Sequence, residues 1–164
     1  MRGSGEAVAT RRVIIGGTFG FLHAGHKALL KRAFSIGDSV YIGLTTDGYV
    51  KRKKHSAMIP GYSERRKTLE AYVRRFGKRY VIRKLDDSRG PAARGRFDVI
   101  VVSDETEKVA REINSERMEA GLRPLEIIVV RRVRRHGRII STYRIIEEML
   151  NGSAIRSNKK LETE

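Results

Sequence analysis

The sequence contains no cysteine among its 164 residues. Disulfide bonds and zinc sites that use thiolates are therefore excluded. No apolar run approaches the roughly 20 residues that a membrane-spanning helix needs, and the first residues lack the apolar core of a secretory signal peptide. We therefore expect no membrane segment and a cytoplasmic location.

Aromatic residues are also sparse, at 7% of the chain, and no motif of a DNA- or RNA-binding module is present. Lys and Arg outnumber Asp and Glu by 35 to 19, which gives a net charge of +16. Such a charge indicates either a polyanionic partner or a solvated surface around a small anion-binding cleft. We favour the cleft and expect no specific nucleic acid. A basic RNA-binding module remains an alternative because of the Arg-rich segment 131–135.

The chain length is typical of a single domain with its own core. We expect a flexible N-terminus over residues 1–10, one folded domain over 11–150 and a polar tail over 151–164. Apolar runs that are typical of strands alternate with segments of helical spacing. This alternation predicts a single-domain α/β fold with a doubly wound parallel sheet.

The predicted strands are 13–15, 40–44, 80–85, 98–102 and 125–130. The predicted helices are 26–34, 64–76, 105–120 and a last helix that ends at Leu150. Ser63 and Ser141 are the expected N-caps of the second and last helices. Segments 45–57, 86–96 and 131–138 are expected to be loops. In such a fold, ligands bind beyond the carboxyl ends of the strands.

The turn after the first strand contains Gly16 and Gly17, and His23 and His26 stand where the next helix begins. Glycines let a backbone approach a ligand closely, and a helix N-terminus offers free N–H groups to phosphate. The histidines could instead cap the helix or pack in the core. A zinc site is not indicated, because no carboxylate or cysteine is near enough in sequence to complete it. The pattern predicts a phosphate-binding site with no metal ligands from the protein.

The residues that follow the first strand, Gly-Gly-Thr-Phe-x-x-Leu-His-x-Gly-His over 16–26, resemble the nucleotidyltransferase superfamily with the H-x-G-H signature. Segment 140–145 is similar to the I-S-S-T-R-I stretch that opens the last helix of these enzymes. Segments between them resemble archaeal phosphopantetheine adenylyltransferases in the right order. These segments are 26–30, 42–47, 62–66, 85–87, 101–106 and 112–114.

This resemblance implies a Rossmann-like nucleotidyltransferase fold. It also implies transfer of the adenylyl group of ATP to 4′-phosphopantetheine, which gives dephospho-coenzyme A and pyrophosphate in coenzyme A biosynthesis. Mg²⁺ would accompany ATP, held more by the phosphates than by the protein. Related enzymes adenylylate nicotinamide or flavin mononucleotides or transfer cytidylyl groups, for example to glycerol phosphate, so another phosphate acceptor is an alternative. The oligomeric state does not follow from the sequence.

The resemblance also implies residue roles. Thr18 would donate to the incoming phosphate, His26 to the α-phosphate, and His23 would orient the triphosphate. Lys51 or Lys53 would bridge the two reacting phosphates, and the sequence does not choose between them. The other implied ATP contacts are Gly16, Gly17, Phe19, Ser103, Glu105, Ser141, Thr142 and Arg144. The implied acceptor-binding residues are Thr18, Thr45, Thr46, Lys51 and Asp86.

Two positions depart from the family pattern. Gly20 stands where the family usually has Asp, and Tyr143 stands where it usually has Thr. The first change is expected to alter the geometry of the loop. The second puts a bulky ring at a helix start that faces phosphate, or turns that ring outward.

Overall fold

The structure is a computed structural model that describes the backbone of residues 9–161 and the side chains of residues 9–152. Residues 1–8 of the predicted flexible N-terminus lie outside the described residues, as do residues 162–164 of the predicted tail. None of the helices within residues 9–161 combines the length and the apolar character needed to cross a bilayer.

The core of the fold is a five-stranded sheet in the order β3-β2-β1-β4-β5. All of its neighbouring strands run parallel. The strands are β1 Arg12–Gly17, β2 Ser39–Thr45, β3 Arg79–Leu85, β4 Val99–Ser103 and β5 Glu126–Val130. Each predicted strand is present, and the predicted doubly wound parallel sheet is confirmed.

Helices cover the two faces of the sheet, and alternation along β1 decides which side chain meets which helix. The helices are α1 Ala24–Ile36, α2 Asp47–Val50, α3 Tyr62–Val73, α4 Glu107–Glu119 and α5 Thr142–Leu161. Val13 and Ile15 join the larger core with residues of α1 and α3, whereas Ile14 joins a second core with residues of α4. Single 3₁₀ turns occupy Ser56–Met58, Arg74–Phe76 and Gly90–Ala93.

The connection from β3 to β4 carries a single 3₁₀ turn instead of an α-helix. Leu85 fills part of the space on that face of the sheet. A Cβ atom added to Gly16 or to Gly43 would lie 3.2 Å from the Leu85 side chain. Because these two residues have no side chain, the Leu85 side chain can pack against the carboxyl ends of β1 and β2. This contact lies next to the turn with the predicted phosphate site.

Two segments predicted to be loops contain regular structure. Segment 45–57 includes α2, because the Thr46 hydroxyl caps it by accepting from the Tyr49 N–H at 3.3 Å. Segment 131–138 includes a hairpin of β6 Arg134–Arg135 and β7 Arg138–Ile139. His136 and Gly137 both have positive φ, at 49° and 75°, as a tight two-residue hairpin turn requires.

The bounds of α1, α3 and α4 differ from prediction by one to three residues, and α5 ends well beyond its predicted end. Helix α3 begins at Tyr62 after Gly61, so Ser63 is not its N-cap. The first free N–H of this helix is satisfied instead by another element, since Asp47 Oδ1 accepts from Tyr62 N at 2.8 Å. Helix α5 continues past Leu150 to Leu161. The added stretch has no proline to end the helix.

A small third core fixes α5 to the rest of the domain. Ile146 has no exposed surface and packs with Val50, Ile59 and Phe21. These partners come from α2, from the segment before α3 and from the loop after β1. The contact therefore joins both ends of the predicted triphosphate site through one apolar side chain.

Ile146→Ala is expected to lower the free energy of unfolding by about 2–5 kcal/mol, because it leaves a cavity in this small core. Denaturant unfolding followed by circular dichroism measures the change. Leu150→Ala removes a side chain of the same size from the same helix at a site that is 44% exposed. This control is expected to change stability much less, and equal losses in the two variants would contradict the role given to Ile146.

Candidate active site

A cleft of about 630 Å³ opens at the carboxyl ends of β1, β4 and β5. The strand order reverses between β1 and β4, which is where ligands bind in open α/β sheets. Every residue that the sequence predicted to contact ATP lines this cleft. These residues are Gly16, Gly17, Thr18, Phe19, His23, His26, Ser103, Glu105, Ser141, Thr142 and Arg144. Contact with ATP itself stays a prediction.

Two further side chains converge on the Thr18 hydroxyl at one end of the cleft. Lys53 Nζ and Thr45 Oγ1 both donate to Thr18 Oγ1, each at 2.9 Å. A hydroxyl has two acceptor positions and one proton. Because both acceptor positions are filled, the Thr18 proton is left to be donated to a ligand.

The two lysines that the sequence left open have different surroundings. Lys53 is half-buried and lines the cleft, whereas Lys51 is exposed and lies outside it. Burial lowers the pKa of Lys53, the nearby Glu105 carboxylate raises it, and the Arg65 guanidinium lowers it further. The ammonium also lies 5.3 Å from the centre of the Tyr49 ring. Lys53 is therefore the lysine that the fold brings to Thr18.

The other predicted acceptor-binding residues do not line the cleft. Thr45 reaches it only through its hydrogen bond to Thr18. The Thr46 hydroxyl is engaged in capping α2. Asp86 follows β3, and its carbonyl oxygen accepts from Arg52 Nη2 at 3.5 Å. The structure thus groups the predicted ATP residues and leaves Thr46, Lys51 and Asp86 beside them.

Hydrogen bonds fix the two neutral histidine rings in different tautomers. His23 Nδ1 caps α1 by accepting from the N–H groups of Gly25 at 3.1 Å and His26 at 3.4 Å. A neutral His23 ring must then carry its proton on Nε2. His26 Nδ1 lies 3.0 Å from the Phe21 carbonyl oxygen, which can only accept. A neutral His26 ring therefore carries its proton on Nδ1, and Nε2 has none.

Burial controls the charge of this pair. It lowers the pKa of His26 to about 3, with smaller effects of the same sign from His23 and Lys53. Burial also lowers the pKa of His23. The two rings stack with centroids 3.7 Å apart. Both histidines are neutral near pH 7, and His26 can donate from Nε2 only after gaining a proton, which a bound polyanion favours.

The start of α5 forms the opposite wall of the cleft. Ser141 Oγ accepts from the Arg144 N–H at 3.2 Å, so the predicted N-cap is confirmed. A Cβ atom at Gly20 would lie 3.1 Å from Thr142 Cγ2 and 3.2 Å from Ile59 Cγ2. The Cβ atom of the Asp that is usual in the family would therefore be in tight contact with both methyl groups, which would have to move by a few tenths of an ångström. Tyr143 lines the cleft and remains 37% exposed.

Arg65 belongs to the site and was not identified from the sequence. It is buried beneath the Thr18 cluster, which consists of Thr18, Thr45 and Lys53. Its Nη1 donates to the carbonyl oxygens of Thr18 at 2.9 Å and Thr45 at 2.8 Å. A signal was present, because Arg65 stands four and eight positions before Leu69 and Val73 on the buried face of α3. A cation on an apolar helical face indicates an internal hydrogen-bonding role.

Among residues 9–152, no group of three or more His, Cys, Asp or Glu side chains could hold a metal ion. Two carboxylates, Glu105 and Glu147, line the cleft. They stand among cationic groups, as Arg132 Nη1 lies 3.5 Å from Glu105 Oε2 and Lys54 Nζ lies 3.9 Å from Glu147 Oε1.

The lowered pKa of His26 predicts that acid destabilises the protein. Its ordinary value is 6.5 and its folded value is about 3. Between these values the unfolded chain binds the extra proton, so stability falls as the pH falls. From pH 6.5 to about pH 5, this group contributes a loss on the order of 2 kcal/mol. We expect His26→Gln to have a flatter dependence of unfolding free energy on pH. Urea titrations across this range measure it, and an unchanged slope would refute the assignment.

The chain resembles known proteins over most of its length. Residues 14–159 match the family model described as cytidylyltransferase-like. The chain is 49% identical to a phosphopantetheine adenylyltransferase of Pyrococcus abyssi over 123 residues, which cover 73% of this chain and 78% of the relative. It is 40% identical to the enzyme of that name from Pyrococcus furiosus over 156 residues, which cover 92% of this chain and 97% of the relative.

Solved structures give the same fold. A protein of unknown function from Archaeoglobus fulgidus superposes with a TM-score of 0.68 at 32% identity, covering 79% of this chain and 99% of that one. A pantothenate synthetase from Thermus thermophilus shares the fold alone, with a TM-score of 0.55 at 15% identity over 83% of this chain and 61% of that one. The chain therefore belongs to the cytidylyltransferase-like family, and within it to the phosphopantetheine adenylyltransferases of archaeal type.

Proposed function

We propose that the protein transfers the adenylyl group of ATP to the phosphate of 4′-phosphopantetheine, which yields dephospho-coenzyme A and pyrophosphate. The observation that carries this proposal is a single cleft. It joins the paired histidines of α1, the Thr18–Lys53 pair and the N-terminus of α5. The names of the similar proteins from the two Pyrococcus species support the choice of acceptor.

In this reaction an oxygen of the acceptor phosphate attacks the α-phosphorus of ATP. The bond from that phosphorus to the oxygen bridging the β-phosphate breaks, and pyrophosphate leaves. The acceptor oxygen is already anionic, so no residue has to remove a proton from it. Catalysis then consists of positioning the two phosphates and stabilising the charge that develops between them.

The Thr18 cluster is suited to the acceptor phosphate. Thr18 keeps a proton to donate because its acceptor positions are taken by Lys53 and Thr45. Lys53 supplies a positive charge 2.9 Å from the same hydroxyl oxygen, where the acceptor phosphate and the α-phosphate would meet. The pantetheine arm would extend from there towards the ends of β2 and β3, beside Thr46 and Asp86.

The histidines and α5 are suited to the triphosphate. A neutral His23 donates from Nε2, and His26 donates to the α-phosphate once the negative charge of ATP has favoured its protonation. Ser141 and Thr142 begin a helix, whose free N–H groups attract the β- and γ-phosphates. Arg144 adds charge at the same end of the cleft. The adenosine would lie against the backbone of residues 16–19 and beside Ser103 and Glu105.

Mg²⁺ is proposed as the ion that accompanies ATP. The side chains offer no carboxylate cluster for it among residues 9–152, so the triphosphate oxygens would supply most of its ligands. When bound, it would offset the charge of the triphosphate. ATP as a substrate also supports the cytoplasmic location expected from the sequence, and no specific nucleic acid is needed.

The function is tested by incubating the protein with ATP, Mg²⁺ and one acceptor at a time: 4′-phosphopantetheine, nicotinamide mononucleotide, flavin mononucleotide or glycerol phosphate. We expect dephospho-coenzyme A and equimolar pyrophosphate with the first acceptor alone, detected by chromatography. Turnover of a different acceptor, with none of phosphopantetheine, would refute the proposal.

His26→Ala is expected to lower kcat by at least about a hundredfold in the same assay, because one transition-state donor is lost.

Two variants test which lysine acts at the reacting phosphates. Lys53→Met and Lys51→Met each remove one positive charge, at positions two residues apart. Lys53→Met is expected to lower kcat/KM about a hundredfold or more, because charge stabilisation at the reacting phosphates is lost. Lys51→Met, on the exposed side of the segment, serves as the matched control and is expected to stay near the wild-type value. Steady-state kinetics decide, and the reverse order of effects would show that Lys51 carries the role.

A further inference from the structure

Arg65 is a buried cation whose hydrogen bonds all lead towards the acceptor end of the cleft. Its side chain has no exposed surface. Nη1 donates to the carbonyl oxygens of Thr18 and Thr45, Nε donates to Pro60 O at 2.8 Å, and Nη2 donates to Asp47 Oδ1 at 2.9 Å. One guanidinium group thus contacts four separate points of the chain.

These four points define the acceptor end of the site. Thr18 follows β1, and Thr45 is the last residue of β2. Asp47 and Pro60 lie at the two ends of the segment that carries Lys53. The guanidinium therefore holds both ends of this segment at a fixed distance from Thr18. Lysine could not replace it, because an ammonium lacks the planar fork that reaches several acceptors at once.

We infer that Arg65 is a positioning residue for the acceptor phosphate. It holds the Thr18 hydroxyl and the Lys53 ammonium at fixed positions relative to each other. This inference rests on the proposed function. Arg65 does not line the cleft, so it acts through these two groups without contact to a substrate. The opposite wall of the cleft, with Ser141 and Thr142, makes none of the hydrogen bonds to Arg65. Loss of Arg65 should therefore affect the acceptor far more than ATP.

The chain offers a matched control in Arg117 of α4, which is 4% exposed. It donates to three backbone carbonyl oxygens, those of Arg123 at 2.8 Å, Ala92 at 2.8 Å and Gly95 at 2.9 Å. Neither Arg117 nor these partners line the cleft. Arg65 and Arg117 are thus two buried arginines with similar structural duties, of which one is connected to the site.

The test compares Arg65→Met with Arg117→Met by thermal unfolding and by kinetics in which ATP and 4′-phosphopantetheine are varied in turn. Both variants are expected to unfold at lower temperature. Arg65→Met should lower kcat/KM for phosphopantetheine about a hundredfold, as misplacement of a reacting group does, with the KM for ATP nearly unchanged. Arg117→Met should keep wild-type kinetics. The inference is overturned if the two folded variants have the same kinetics.

Two further variants keep the test decisive. Arg65→Lys retains the charge and loses the fork, so it should resemble Arg65→Met; wild-type kinetics in it would overturn the inference. Should Arg65→Met not fold, Asp47→Ala replaces it, because the Asp47 side chain is 54% exposed and accepts one of the four bonds of Arg65, besides the bond from Tyr62 N. About a tenfold loss in kcat/KM for phosphopantetheine is expected, since a held orientation is loosened, and no loss overturns the inference.

Failure of the proposed function would look different from failure of this inference. Wild-type protein that turns over another phosphate acceptor would refute the function. The same comparison of variants would then be made with that acceptor, because Thr18 and Lys53 would face its phosphate equally. The contrast between Arg65 and Arg117 is decided in either case.

Discussion

The position of β1 between β2 and β4 is the constraint on which the site depends. The chain passes from β1 to β2 on one side and returns to β4 on the other, so a crevice opens where β1 ends. The glycine-rich turn and the histidines follow β1 directly, and the residues after β4 and β5 approach from the far side. Each segment that the cleft needs is brought there by the strand order.

Packing converts that crevice into a site with two ends. Ile146 packs the start of α5 against Val50 and Ile59, and the absence of a side chain at Gly20 lets Thr142 come close to the first loop. At the other end, a buried guanidinium ties the ends of β1 and β2 to the segment with Lys53. The triphosphate end therefore depends on apolar contact, whereas the acceptor end depends on hydrogen bonds.

Burial determines how the titratable groups of the cleft behave. Burial keeps His26 and His23 neutral, so the empty site holds no positive charge on its histidines, and burial also lowers the pKa of Lys53. A bound polyanion reverses that balance by favouring the protonated forms. Binding of the triphosphate and charging of the site are in this way coupled.

The sequence by itself determined the strands and their parallel arrangement, because apolar runs and glycine-bounded turns are local signals. The grouping of residues 16–26 with 140–145 followed from the resemblance to the nucleotidyltransferases. It did not determine α2, the start of α3 or the role of Arg65. The start of α3 and the role of Arg65 depend on hydrogen bonds between residues distant in sequence, from Tyr62 N to Asp47 and from Arg65 to Thr18. Helix α2 depends on a local cap by Thr46, inside a segment whose charge favoured a loop. The choice of Lys53 over Lys51 had the same origin. Both lysines carry the same charge in the sequence, and only the tertiary structure decided which one reaches the cleft.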